Sequence, residues 1–202
     1  MIEAKGVSYR YDRDQWVMKK LNLTVQPGEV VGLYGKSGSG KTTLSKIMAG
    51  YLKPMEGHVR IDGEMAPKKG VHPVQLVWQH PEKAINPRWR LGETLREGWE
   101  PDDELLRALG IEKAWLKRWP SELSGGELQR ICLARALGPS TRYLIADEMT
   151  TMLDAITQAQ IWHVVLDLVK HRNIGVLAVS HDMDLLEKIT TRMIDFNTIA
   201  TR

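Results

Sequence analysis

Cysteine is almost absent from this 202-residue chain. The single copy, Cys132, excludes an internal disulfide and any cysteine-built metal cluster. It stands in ICLARAL, a helix-patterned run in which a small buried thiol is the expected role. Long apolar runs are missing as well. No stretch approaches the roughly 20 residues a membrane-spanning helix needs. The N-terminal MIEAKGVSYRY lacks the long apolar core of a signal peptide, so a cytoplasmic location is expected. Charge is nearly balanced at +3 without a Lys/Arg block, and composition gives nucleic acid no support as a partner. The nearest cluster, Lys68-Lys69, reads as a solvated turn beside Pro67 and Gly70. There is no internal repeat and no low-complexity tract.

What is present suits one α/β domain with a subdomain: 43% of residues are hydrophobic, enough for a proper core. Alternation predicts strands over residues 2–9 and 21–26, and Pro27-Gly28 turns the chain into a third strand over 29–34. A helix follows, broken at Lys53-Pro54, then short strands near 58–61 and 74–78. Residues 92–118 read as mainly helical with a break at Pro101. A helix over LQRICLARAL leads to an apolar strand at Tyr143. Beyond it come a helix over 155–170, a strand over 175–180, a helix over 183–189 and a last strand over 193–196.

The most specific local signal is Gly35-Lys36-Ser37-Gly38-Ser39-Gly40-Lys41-Thr42, with Thr43 next. It fits G-x-x-x-x-G-K-[ST] in full, after the strand-like VVGLY and before a helical run. Glycines at 35, 38 and 40 let the backbone turn its N–H groups inward as an anion nest, and the following helix adds its positive end. In such a loop Lys41 reaches the terminal phosphates of a nucleotide and Thr42 places its hydroxyl on Mg²⁺. Further on, Tyr143-Leu144-Ile145-Ala146-Asp147-Glu148 reads as a buried parallel strand ending in two acids. Asp147 can hold Mg²⁺ directly or through water, and Glu148 can polarise an attacking water. An acid pair after an apolar run also suits a helix cap or a solvated turn; its position relative to the loop gives it weight.

Between these two segments lies Leu123-Ser124-Gly125-Gly126-Glu127. Here the chain resembles the ATP-binding cassette (ABC) ATPases, whose signature motif this run matches. Ser124-x-x-Glu127 is equally a capping box, and both roles can hold together at one helix N-terminus. The resemblance extends, in order, to Gln79 as the Q-loop glutamine, Asp154 as the D-loop aspartate and His181 as the switch histidine. Tyr11 is similar to the aromatic that stacks on adenine, with Tyr9 as the alternative. The fold implied is a P-loop NTPase of ABC type spanning residues 1–202. It has a mixed core sheet flanked by helices, an N-terminal antiparallel β-subdomain and a short helical subdomain near 80–138. Implied cofactors are ATP and Mg²⁺, the metal being held by Thr42, Gln79 and Asp147. Glu148, His181 and Gln79 are the implied catalytic set. The implied mechanism is a head-to-tail dimer in which Ser124, Gly125, Gly126, Glu127 and Asp154 address the ATP of the partner subunit.

A narrower resemblance lies in QHPEKAINPR (79–88) and DAITQAQ (154–160), which are similar to segments of the oligopeptide, dipeptide and nickel importer ATPases. That subfamily implies a paralogous ATPase partner, favouring a heterodimer, and two transmembrane permeases. It also implies an extracytoplasmic binding protein, with the chain at the cytoplasmic face of the membrane. A soluble ABC ATPase of a non-transport complex, of carbon–phosphorus lyase type, is the alternative, as is a low-turnover partner of a paralogous ATPase. Three departures stand out: Met149 where the family usually has Pro, Met152 where it usually has a small residue, and His80 in place of an acid. Five of the seven tryptophans fall between 75 and 119, where they either pack a small helical subdomain or line a protein-binding groove.

Overall fold

The computed structural model describes residues 1–200 except 14 and 68, so the Lys68 half of the proposed basic turn lies outside the described residues. Two sheets organise the chain. The first is antiparallel, in the order β2-β1-β4-β5, from β1 (Ile2–Tyr9), β2 (Met18–Val25), β4 (Glu56–Ile61) and β5 (Glu64–Met65). The second is five-stranded, in the order β6-β7-β8-β3-β9, from β3 (Val30–Tyr34), β6 (Val74–Val77), β7 (Tyr143–Asp147), β8 (Gly175–Val179) and β9 (Arg192–Asp195). Every pairing in this second sheet is parallel, which corrects the expected mixed core sheet. The reason is connectivity: its strands are joined by long crossovers, while the hairpin-forming strands segregate into the first sheet.

Central strands of a parallel sheet are covered on both faces and so lose polar–apolar alternation. YLIAD in β7 and GVLAV in β8 are buried at every position. Helices cover this sheet: α1 (Lys41–Met48), α4 (Gly125–Ala136), α5 (Ala155–Arg172), α6 (Met183–Ile189) and the short α7 (Phe196–Ile199). Between β6 and α4 the chain forms only short pieces, α2 (Leu91–Arg96), α3 (Asp103–Ala108) and single 3₁₀ turns. The stretch over 92–118, expected as mainly helical with one break at Pro101, is therefore broken into more and shorter fragments. Leu91, Leu95, Leu106, Leu109, Ile111 and Trp115 nevertheless join one apolar cluster with α4, α5 and the inner strands.

The tip of β3 carries the phosphate-loop sequence, the tip of β7 carries Asp147 and Glu148, and the tip of β8 leads to His181. Because β7, β8 and β3 are adjacent and parallel, their carboxyl ends converge. Crevices at the carboxyl ends of parallel strands are where α/β folds bind ligands.

Candidate functional site

Residues 35–40 wrap in three left-handed steps, at Gly35 (φ 150°), Gly38 (φ 72°) and Gly40 (φ 118°). A Cβ at Gly40 would lie 2.5 Å from Val17 Cγ1, so no other residue fits there without displacement. Lys41 opens α1, and its side chain curls back through the loop. Its Nζ donates to the carbonyls of Gly35 (2.7 Å) and Lys36 (3.0 Å). A buried ammonium held over a ring of backbone groups is a preformed anchor for phosphate. The cleft in front of the loop has a volume of about 650 Å³ and is walled by Tyr11, Lys46, Trp78, Gln79, Asp147 and Glu148 among others. A larger groove of about 960 Å³ lies between α3 and α5 and contains none of these groups.

Asp147 is 4% exposed. Burial pushes its carboxyl above the usual carboxylate range. A hydrogen bond from the Thr42 hydroxyl opposes this, the Glu148 charge adds to it, and Lys41 and Lys46 pull the other way. A desolvated carboxylate beside a hydroxyl, in a phosphate cradle, is a donor set suited to a hard cation that brings its remaining oxygen ligands with it. Thr42 and Asp147 fit Mg²⁺ in this respect.

Glu148 leaves the strand with φ 52°, a left-handed conformation rare outside glycine. Its Oε1 lies 3.5 Å from His181 Nδ1. The structure thus brings a cleft-lining carboxylate and the predicted switch histidine together. Gln79, at the end of β6, lines the same cleft, and its Nε2 donates to Thr151 Oγ1 at 3.4 Å. Tyr11 lines the cleft too and bonds Thr43 Oγ1 through its hydroxyl at 3.1 Å. Tyr9 meets the Tyr11 ring edge-on, with centroids 5.1 Å apart.

The signature run is placed elsewhere. Ser124 caps α4 in a capping box: its Oγ accepts from Glu127 N–H (3.3 Å) and Glu127 Oε2 accepts from Ser124 N–H (2.7 Å). None of Ser124, Gly125, Gly126 or Glu127 lines the chain's own cleft. Gly126 instead faces Leu153, whose Cδ2 would lie 3.0 Å from a Cβ built there. Asp154 caps α5, accepting from the N–H groups of Ile156 and Thr157. Met149 is buried in the core, whereas Met152 is 63% exposed, so of the two methionine departures only Met152 reaches the surface. His80 pairs with Glu82 at 3.3 Å.

Several contributing residues carry no motif. Lys46 lies 5.2 Å from the centroid of the Trp78 ring and shares the cleft wall with it. From α4, Gln129 donates to the Trp78 carbonyl (2.9 Å), the Cys132 thiol approaches the Pro81 carbonyl (3.8 Å) and Arg135 donates to the Ala84 carbonyl (2.8 Å). The signature helix therefore grips the segment 78–84, which flanks Gln79, at three-residue intervals; that register could not be read from either segment alone. The tryptophans divide. Trp115 is buried and Trp99 donates to α4 carbonyls, whereas Trp89 and Trp119 are more than a third exposed.

A glycine-turned loop around a buried lysine, a buried strand-end Asp, a paired Glu and His, and a Gly-Gly helix capped away from the cleft are the arrangement of a P-loop ATPase of the ABC cassette class. The chain belongs to the ABC transporter family, whose profile matches residues 18–151. It is similar to the nickel import system ATP-binding protein NikE of Staphylococcus aureus strains bovine RF122 / ET3-1 and USA300. Each is 33% identical over 212 residues, covering 96% of this chain and 85% of the relative. Among solved structures it is similar to the dimeric bacterial ABC transporter cassette MJ0796, with a TM-score of 0.81 at 26% identity, covering 96% of this chain and 94% of that one. The post-hydrolysis dimer of the same cassette, bound to ADP and Pi, matches with a TM-score of 0.79 at 25% identity over the same shares. The chain is an ABC ATPase subunit.

Proposed function

We propose that this chain is the ATP-hydrolysing motor of a membrane importer of the nickel and oligopeptide class, acting at the cytoplasmic face through permease subunits. The NikE likeness supports the class of cargo, together with the QHPEKAINPR and DAITQAQ segments, which ATP chemistry alone does not require. Among the described residues no helix is long and apolar enough to cross a membrane, so contact with the bilayer would run through partners.

In this mechanism the loop from Gly35 through Thr43, including Lys36, Ser37, Gly38, Ser39, Gly40 and Lys41, cradles the phosphates, and Tyr11 supports the base. Thr42, Asp147 and Gln79 would hold Mg²⁺, which would neutralise phosphate charge. Glu148 orients and deprotonates the attacking water, and His181 steadies the developing charge. Ser124, Gly125, Gly126, Glu127 and Asp154 lie outside the chain's own cleft, which is what a second cassette approaching head to tail requires. Closure follows from ATP binding the closed state better than the open one, and hydrolysis removes that difference. A paralogous ATPase is the partner favoured by the subfamily likeness.

The observation carrying this reading is the Glu148–His181 contact at 3.5 Å beside a complete phosphate loop. Glu148→Gln is expected to lower ATP turnover by roughly 100-fold or more, the scale of general-base loss, while ATP still binds and holds two cassettes together. Light scattering with ATP and a phosphate-release assay measure both. Unchanged turnover would remove Glu148 from its role.

A further inference from the structure

The left-handed backbone at Glu148 is not self-supporting. A non-glycine residue stays in this region only when neighbouring groups hold it there, and such strain concentrates at working sites. Three hydrogen bonds fix the Glu148 peptide. Its N–H donates to the Val179 carbonyl at 2.9 Å, at the end of β8. Its carbonyl accepts from Thr151 N–H at 3.3 Å and from the Thr151 hydroxyl at 2.9 Å.

Thr151 is itself tied down. The preceding hydroxyl, Thr150 Oγ1, accepts from Gln158 Nε2 (3.1 Å) and from Trp162 Nε1 (3.2 Å), which anchors the turn to α5. With its proton committed to the Glu148 carbonyl, the Thr151 oxygen offers a lone pair to Gln79 Nε2 at 3.4 Å. One hydroxyl therefore joins the two strand ends that border the cleft, those of β6 and β7.

We propose that Thr151 is a positioning residue for hydrolysis: its hydroxyl fixes the left-handed peptide that aims the Glu148 carboxylate at the cleft and at His181. The proposal rests on Glu148 acting as the general base. Thr151 touches no reacting atom; it acts by holding the peptide from which the base projects. Small displacements of a base cost rate out of proportion to binding. Loss of this hydroxyl therefore falls on turnover and spares ATP affinity.

The test compares Thr151→Val, which keeps the shape and β-branching but removes the hydroxyl, with Thr151→Ser, which keeps the hydroxyl. Both are made alongside Glu148→Gln in the complex recovered from cells on this chain. Turnover, KM for ATP, affinity for a non-hydrolysable ATP analogue and melting temperature are measured for each. The expected result for Thr151→Val is a kcat lowered roughly 10- to 100-fold. KM and analogue affinity should stay within about twofold of the parent, with Thr151→Ser recovering most of the rate. Wild-type turnover in Thr151→Val, with Glu148→Gln inactive, would overturn the Thr151 assignment and leave the base in place. Equal losses in Val and Ser variants, tracking a lowered melting temperature, would also overturn it. Full turnover in Glu148→Gln would instead remove the general-base reading on which the proposal stands.

Discussion

Asp147 carries opposing demands. It is almost completely enclosed, and burial is the largest influence on its carboxyl, raising its pKa. A carboxyl whose folded pKa is raised favours folding while protonated. That contribution is present below the ordinary carboxylate range, around pH 4, and is lost as pH rises through the raised value. Asp147→Asn is therefore expected to raise the melting temperature of the nucleotide-free protein at pH 7. The difference should shrink as pH falls toward 4, and Mg²⁺-dependent turnover should vanish in the same variant. A lower melting temperature at pH 7 would contradict the burial argument. At this scale the phosphate loop was legible from sequence because its backbone demands glycine at fixed offsets. Thr151 was not, because its partner Gln79 lies 72 residues away and a hydroxyl in a turn carries no pattern of its own.

Individual elements were legible where burial or a cap imposes a period. Strands β7 and β8 are continuous apolar runs, and α4 begins at a capping box visible in the letters. The short β5 was missed although Asp62-Gly63, with both residues at positive φ, is the turn that makes its hairpin. Residues 92–118 read as mainly helical, with a break expected at Pro101, because apolar spacing is right. Gly98, Pro101 and Gly110 interrupt them before any helix gains length. The C-terminus of α4 shows how one element depends on another. Arg172, at the end of α5, donates to the carbonyls of Leu137 (2.8 Å) and Gly138. Arg172→Met would leave both carbonyls without that partner, at a cost of about 1–3 kcal/mol. The expected readout is a lower denaturant midpoint with an unchanged m value and unaltered affinity for an ATP analogue. An unshifted midpoint would mean that the end of α4 needs no cap.

For the whole molecule, the ordered set of motifs implies the cassette architecture, and the fold agrees in its two sheets and converging strand tips. What the letters could not give was strand orientation within the core sheet, which depends on which segments cross over. The distance between cleft and signature was likewise unreadable, because both lie in one continuous chain and only packing separates them. In the proposed head-to-tail assembly, that separation would leave half of each ATP site to another subunit. Exposed Trp89 and Trp119 on the helical side, and Met152 and Ile156 beside Asp154, are surfaces such an assembly can cover.

The central claim, an ATP-driven importer motor, is tested most directly by isolating the chain under native conditions from detergent-solubilised cells and identifying its stoichiometric partners by mass spectrometry. Two permeases and a second ABC ATPase are the predicted result. Recovery of a soluble enzyme complex with no membrane protein would contradict the importer and leave an ATP-driven machine of another kind.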